Sequence, residues 1–356
     1  MYNPYNNGYN PYINPQRPPF IPPKPPFHPQ EKKTLRHFFG FSAGGIALTV
    51  VLMQVLFVIV FSFFWASGLF VDLSQIENGY SGMSPKAYYL SYMIVYWLAL
   101  FLPFAVLAFS GTLRMNFKQA LPFEKPRVNP LPFILLGLGI VVVSNIANNF
   151  FVTFLDSVGF NVEIPQPPAP TDLLGRIFYI SAISFAPAFI EEFIFRGVIL
   201  SGLRRHGDWF AIIFSAVLFS LFHCTLMQLL FTLVLGLFFA YITIKTESVW
   251  PAIALHFINN AMSAVIDIFT VGFSEEAMGL TVLLYFFVFI ILGITGLLWI
   301  CLSRKIGGFN LPFEKKTYNF PQKAATAVLN AGTVLLLLVW FFLSFGWLEK
   351  LLSSLQ

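Results

Sequence analysis

Runs of apolar residues, several longer than 18, recur along this chain and restrict what it can fold into. A hydrocarbon core of roughly 30 Å needs about 20 apolar residues in helix to cross it. Inside that core every backbone N–H and C=O must be paired within the protein, so only helices and closed barrels span. The alternating pattern of barrel strands is absent. Charged residues are 10% of the chain and apolar ones 57%, where a soluble domain carries about 25% charge. The expectation is an all-α, polytopic helical membrane protein with the lipid bilayer as its surroundings. Nine spans are expected near 43–70, 87–111, 131–155, 174–203, 209–224, 226–244, 249–268, 279–302 and 326–348. The fifth is short, and the count is eight if it does not cross.

These runs divide the chain into four parts. Residues 1–36 read as a disordered Asn/Tyr/Pro-rich tail, too poor in aliphatic residues to build a core. PxxP spacing at Pro19/Pro22 and Pro23/Pro26 makes this tail a candidate docking peptide for a partner, against the plainer reading of a solvated low-complexity segment. Residues 37–171 hold three N-terminal spans, 172–302 a central membrane core, and 303–356 a basic loop and the last span. The first apolar run follows about 40 polar residues, so it reads as a retained anchor rather than a cleaved signal.

Basic residues set the expected orientation. With the N-terminus inside, inner segments hold Lys32, Lys33, Arg36, Arg127, Arg204, Arg205, Lys245, Lys315 and Lys323, among others. The outer side keeps only Lys86, Arg176 and Lys350, and its loops carry Asp72, Asp156, Glu275 and Glu276. A multi-pass protein of the cell membrane is expected, N-terminus cytoplasmic and C-terminus outside. The net charge of +5 is accounted for by this distribution and gives no nucleic-acid signal. Cys224 and Cys301 lie in different segments and imply no disulfide framework. A Leu-Pro-Phe-Glu-Lys string occurs at 121 and again at 311; chance similarity of two basic loops explains it as well as duplication does.

The chemistry lies in charges where charges are costly. The run 178–203 contains Glu191, Glu192 and Arg196 and no other charge. Each would cost roughly 2.5–3.5 kcal/mol at mid-bilayer if unpaired, so such a cluster is a functional-site hypothesis by default. Two further spans carry strong polar groups, His223 after Phe219 and His256 before Asn260. Glu192 and Arg196 are four apart and share a helix face, so they can pair. Glu191 lies about 100° round the helix and can face another neighbour. His256 and Asn260 share a face, and Phe219 can pack beside His223. At 1.5 Å per residue, Glu191, Asn260 and His223 lie roughly 18, 16 and 21 Å from their inner helix ends, near one depth.

Glutamate, two histidines and asparagine in a wet pocket suit hydrolysis. A carboxylate can serve as general base for water, and histidine or asparagine N–H groups can stabilise an oxyanion. Alternatively Glu191, His223 and His256 could hold Zn²⁺ with a position left for water, although no HExxH motif is present. No covalent nucleophile stands out: Cys224 adjoins His223 but points about 100° away on a helix.

Glu-Glu-x-x-x-Arg at 191–196, Phe-x-x-x-His at 219–223 and His-x-x-x-Asn at 256–260, the last led in by Trp250-Pro251, fall in this order within the fourth, fifth and seventh spans. The set resembles the CAAX-protease and bacteriocin-processing family, also called CPBP or Abi, over about residues 172–302. The resemblance implies an integral-membrane endopeptidase, labelled metalloprotease in some accounts and metal-free in others. It implies that Glu191 activates water, that Glu192 and Arg196 support it, that His223 is a catalytic or ligand histidine, and that His256 and Asn260 stabilise the oxyanion. The extra segments suggest a bacterial member acting on a membrane-associated peptide or protein rather than on a prenylated CAAX end. Two other readings stand beside it: a non-catalytic scaffold or bacteriocin-immunity protein, and an ion-coupled transporter using the charges as a relay. Taken without the resemblance, Glu192–Arg196 serves equally well as a structural pair, His223 and His256 as interhelical hydrogen-bonders, and Asn145, Asn148 and Asn149 as packing or a wet seam. Asn259 is expected to point elsewhere. Pro187 and Gly236 are expected to give a kink and a close contact.

Overall fold

The computed structural model describes residues 26–68, 71–75, 80, 82–110, 113, 115, 123–159, 169–311 and 315–354, with side chains to 344. Pro19, Pro22 and Pro23 of the PxxP pairs, and Leu121 and Pro122 of the first repeated string, lie outside the described residues, as do positions 312–314 of the second. Helices account for the fold; the described residues contain no strand beyond an isolated bridge, Val71 with Met83. In chain order they are α1 (Pro29–Ser67), α2 (Pro85–Phe109), α3 (Leu131–Ser157), α4 (Leu173–His206), α5 (Asp208–Phe222), α6 (Leu226–Thr246), α7 (Trp250–Phe269), α8 (Glu275–Leu302), α9 (Phe320–Val328) and α10 (Ala331–Ser354).

Seven of these are long and apolar enough to cross a membrane, and α9 with the first part of α10 makes an eighth, bent by 62°. The bend sits at Asn330, whose side chain donates to the Ala327 carbonyl and accepts the Thr333 N–H. The expected fifth span, 209–224, is the 15-residue α5, about 22 Å long at 1.5 Å per residue and too short to cross. It forms a hairpin with α6: Trp209 at its start stacks on Tyr241 near the end of α6 at 6.5 Å. Both ends of the hairpin are tied to one segment, Asp208 to the Lys315 backbone, and Tyr241 and Lys245 to the carbonyls of Phe309 and Asn310. A chain that enters and leaves at the same end does not change the parity of the crossings.

The tail is shorter than expected. Residues 29–36 belong to α1, because His28 accepts the Gln30 N–H at the cap, Pro29 fits the first turn, and Glu31 is drawn in by Lys323 at 2.7 Å and His206 at 3.1 Å. At the other end of the hairpin, Asn148 of α3 donates to the Met227 carbonyl at 2.9 Å and accepts the Phe231 N–H at 3.2 Å. That fastens the tip about 25 Å along α3 from Leu131, well before the helix ends. The packing role expected for Asn148 is therefore specific: it holds the turn that carries His223.

Three stretches widen into π-helix, Trp97–Phe101 in α2 and Ser181–Phe185 and Phe193–Leu200 in α4. Such stretches re-aim side chains and recur at functional sites. Here they adjoin Tyr96 on one side and flank Glu191 and Glu192 on the other.

Candidate active site

Helix α4 passes through the middle of the bundle, and its two glutamates diverge as neighbours on a helix must. Glu192 is fully buried and Arg196 1% exposed. Arg196 Nη1 donates to Glu192 Oε1 at 2.9 Å, Nη2 reaches the Gly236 carbonyl at 3.3 Å, and the guanidinium lies over the rings of Phe219 at 4.4 Å and Phe239 at 5.1 Å. The pairing removes the cost of two isolated buried charges, and the ring faces add cation–π attraction. His256 Nδ1 donates to the same Glu192 oxygen at 2.9 Å. Its ring stacks on Phe239 at 5.4 Å and meets the edge of Phe219.

Because an ionised carboxylate only accepts, Nδ1 donates there, and Nε2 is the ring nitrogen left to face the cavity. That Nε2 faces Glu191 Oε2 at 3.9 Å. The other Glu191 oxygen, Oε1, accepts the Tyr96 hydroxyl at 2.6 Å. Oε2 is buried and has no hydrogen-bond partner among the described residues. His223 repeats the logic: Nδ1 donates to the Phe219 carbonyl at 2.9 Å, leaving Nε2 available, and Phe219 packs edge-on at 4.9 Å.

A cavity of about 420 Å³ joins these groups, walled by α2, α3, α4, α5, α6 and α7. Glu191, His223, His256 and Asn260 line it, as the helix-face argument expects. Glu192 and Arg196 are not on its wall; they stand behind His256. Asn259 is a correction: it lines the cavity and donates to Asn260 Oδ1 at 2.8 Å. Two helix neighbours 100° apart can both border a space this wide. Asn260 Nδ2 in turn donates to the Ile183 carbonyl at 3.0 Å. Ile183 lies four residues before Pro187, which has no N–H to give it. The proline expected to kink α4 thus exposes a carbonyl that Asn260 satisfies, and one Nδ2 hydrogen stays available.

Tyr96 escaped the sequence reading. Nothing in its span is charged, and a tyrosine in an apolar helix looks like an interface aromatic; only its length of reach toward α4 singles it out. Cys224 is absent from the cavity wall and its Sγ donates to the Leu221 carbonyl. For zinc, each expected donor keeps one ligating atom, yet among the described residues no three His, Cys, Asp or Glu side chains converge to hold an ion. The set does not fit a metal as it is arranged.

Residues 173–262 match the family described as "Type II CAAX prenyl endopeptidase Rce1-like". Over these residues the membrane core is similar to that family. A Bacillus subtilis (strain 168) protein named "Putative membrane peptidase YdiL" is 25% identical over 143 residues, 37% of this chain and 59% of that protein. The chain thus matches less than two thirds of that relative's length. No solved structure is significantly similar. The family match spans α4 to the middle of α7 and takes in every cavity residue expected from sequence; Tyr96 on α2 and Asn148 on α3 lie outside it.

Proposed function

We propose that this chain is an intramembrane endopeptidase that hydrolyses a peptide bond in a membrane-associated protein or peptide, with water activated by Glu191. The carrying observation is the divided state of the Glu191 carboxylate. One oxygen is held by Tyr96, and the other is buried, without a hydrogen-bond partner among the described residues, and turned toward His256 Nε2 beside a polar cavity. Glu191 Oε2 takes a proton from water as the oxygen adds to the scissile carbonyl. The spare Nδ2 hydrogen of Asn260 is available to the oxyanion. As the C–N bond breaks, the proton on Glu191 passes to the leaving amine. Glu192 and Arg196 fix the tautomer and orientation of His256, the part a buried carboxylate plays beside any working imidazole. His223 Nε2 offers a second place for a proton. The route uses no metal.

A substrate helix protects its own amides, so its backbone must open before it can be cut. With the basic ends inward, the N-terminus is cytoplasmic and the C-terminus outside a cell membrane, and the hairpin leaves that parity unchanged.

The test is quantitative membrane proteomics of the host, comparing wild type with Glu191→Ala at equal abundance. New termini in or beside hydrophobic segments that vanish in the variant support proteolysis. If no terminus changes while Glu191→Ala still rescues the phenotype of a deletion, the chain is a scaffold and the enzyme reading fails.

A further inference from the structure

We infer that Tyr96 is a positioning residue of the active site, supplied by a helix outside the matched family core, and that its hydroxyl selects which Glu191 oxygen acts as base. The inference rests on the endopeptidase reading of that site. Its grounds are geometric. The 2.6 Å contact from Tyr96 Oη to Glu191 Oε1 is in the range of a charge-assisted O–H···O⁻ bond. Both side chains are buried, Tyr96 7% and Glu191 2% exposed, so no bulk water competes for either partner.

A glutamate with nothing on its carboxylate can spin about its last bond and present either oxygen. Here the hydroxyl fixes Oε1, which sends Oε2 toward the cavity and His256 Nε2. Tyr96 is itself held. Its ring stacks on Tyr92 at 5.9 Å, and the π-helical stretch Trp97–Phe101 begins at the next residue. One turn on, Phe101 packs on Phe193 of α4 at 5.1 Å, which docks α2 against the helix that carries Glu191. Glu191 therefore depends on two helices, one inside the family match and one outside it.

The bond is also suited to turnover. The tyrosine hydroxyl donates to Oε1 when Glu191 is ionised, and still donates to it when Oε2 holds the proton taken from water, because the carbonyl oxygen of a carboxylic acid remains an acceptor. The same contact thus persists on both sides of the proton transfer without moving a heavy atom.

The experiment uses full-length protein in the host and then purified. First, Glu191-dependent termini are mapped by comparing wild type with Glu191→Ala, and a peptide spanning the strongest one becomes the assay substrate. Tyr96→Phe keeps the ring and removes only the hydroxyl. The expected result is a kcat lower by about 10- to 100-fold, the scale of one hydrogen bond to a charged group, with KM within about twofold and an unchanged melting temperature in detergent. Tyr285→Phe, on α8 and away from the cavity wall, stays within about twofold of wild type. In Glu191→Asp, whose shorter side chain withdraws the carboxylate from the hydroxyl, adding Tyr96→Phe costs less than about twofold, because residues acting as a unit are not additive. A full further loss in that background means that Tyr96 acts through packing and overturns the inference. So does wild-type kcat in Tyr96→Phe. Absence of any Glu191-dependent terminus overturns the endopeptidase reading itself, a different outcome from either.

Discussion

Helices α6 and α8 are both apolar runs that sequence marks equally as membrane segments, yet 56% of the most apolar stretch of α6 is buried and only 11% of that of α8. In lipid there is no hydrophobic force to bring two such helices together, since the tails are as apolar as leucine. Small residues and polar pairs do it instead. α8 is held to α3 by backbone contact at Gly139 and Gly293, where a Cβ built on Gly293 would fall 2.6 Å from the Gly139 Cα. α6 sits in the polar interior, its Gly236 carbonyl taken by Arg196, its Phe239 packed on His256 and its first turn fastened by Asn148. Hydropathy thus says which segments enter the membrane; polar pairing says which of them form its interior.

This contrast can be broken most sharply at Glu192. Glu192→Gln leaves the Arg196 guanidinium buried without its counter-charge, and removing one partner of a buried pair costs about 3–5 kcal/mol. A large fall in the detergent melting temperature is expected. Glu192→Met with Arg196→Met should recover much of the stability and none of the activity, since His256 then loses the acceptor that orients it. Recovery of activity in that double variant would make the pair dispensable to the site.

A middle-sized effect separates helix repair from chemistry. Asn260→Ala leaves the Ile183 carbonyl without its donor, a cost of about 1–3 kcal/mol. Pro187→Ala added to it returns a backbone N–H four residues on, so the melting temperature should rise again while peptide cleavage stays low. If Pro187→Ala instead lowers it further, the carbonyl was not the damage.

The smallest effect belongs to the lipid-facing side. Phe287 of α8 is 63% exposed. Phe287→Ala should shift stability by no more than about 0.5 kcal/mol and leave kcat unchanged, the behaviour of a surface substitution with bilayer as solvent. A loss as large as that of Glu192→Gln would mean that α8 faces a partner there.

Much of the site was legible because it is written within single helices. Glu192 and Arg196 at i and i+4, His256 and Asn260 at i and i+4, and Phe219 one turn before His223 are relations that a 3.6-residue repeat fixes before any tertiary contact forms. The divergence of Glu191 from Glu192 follows from the same repeat. What the repeat cannot supply is a relation between helices. Asn259 is expected from sequence to point elsewhere, but the width of a cavity is set by six helices together, and it lines the wall. The fifth apolar run is short enough for its sequence to leave open whether it crosses, and only its pairing with α6 makes it half of a hairpin.

The sequence by itself determined a helical membrane protein, the polar residues that must be sheltered inside it, and the faces those residues share, because a bilayer leaves the backbone no other hydrogen-bonding arrangement and helix geometry is nearly invariant. Only the tertiary structure decided that Glu192 accepts from His256, that Asn260 answers the carbonyl Pro187 leaves open, and that a tyrosine from a helix outside the matched stretch holds the Glu191 carboxylate. Each of those is a distance between helices, and in lipid such distances depend on a few polar contacts and close-packed glycines that no periodicity along one chain segment encodes.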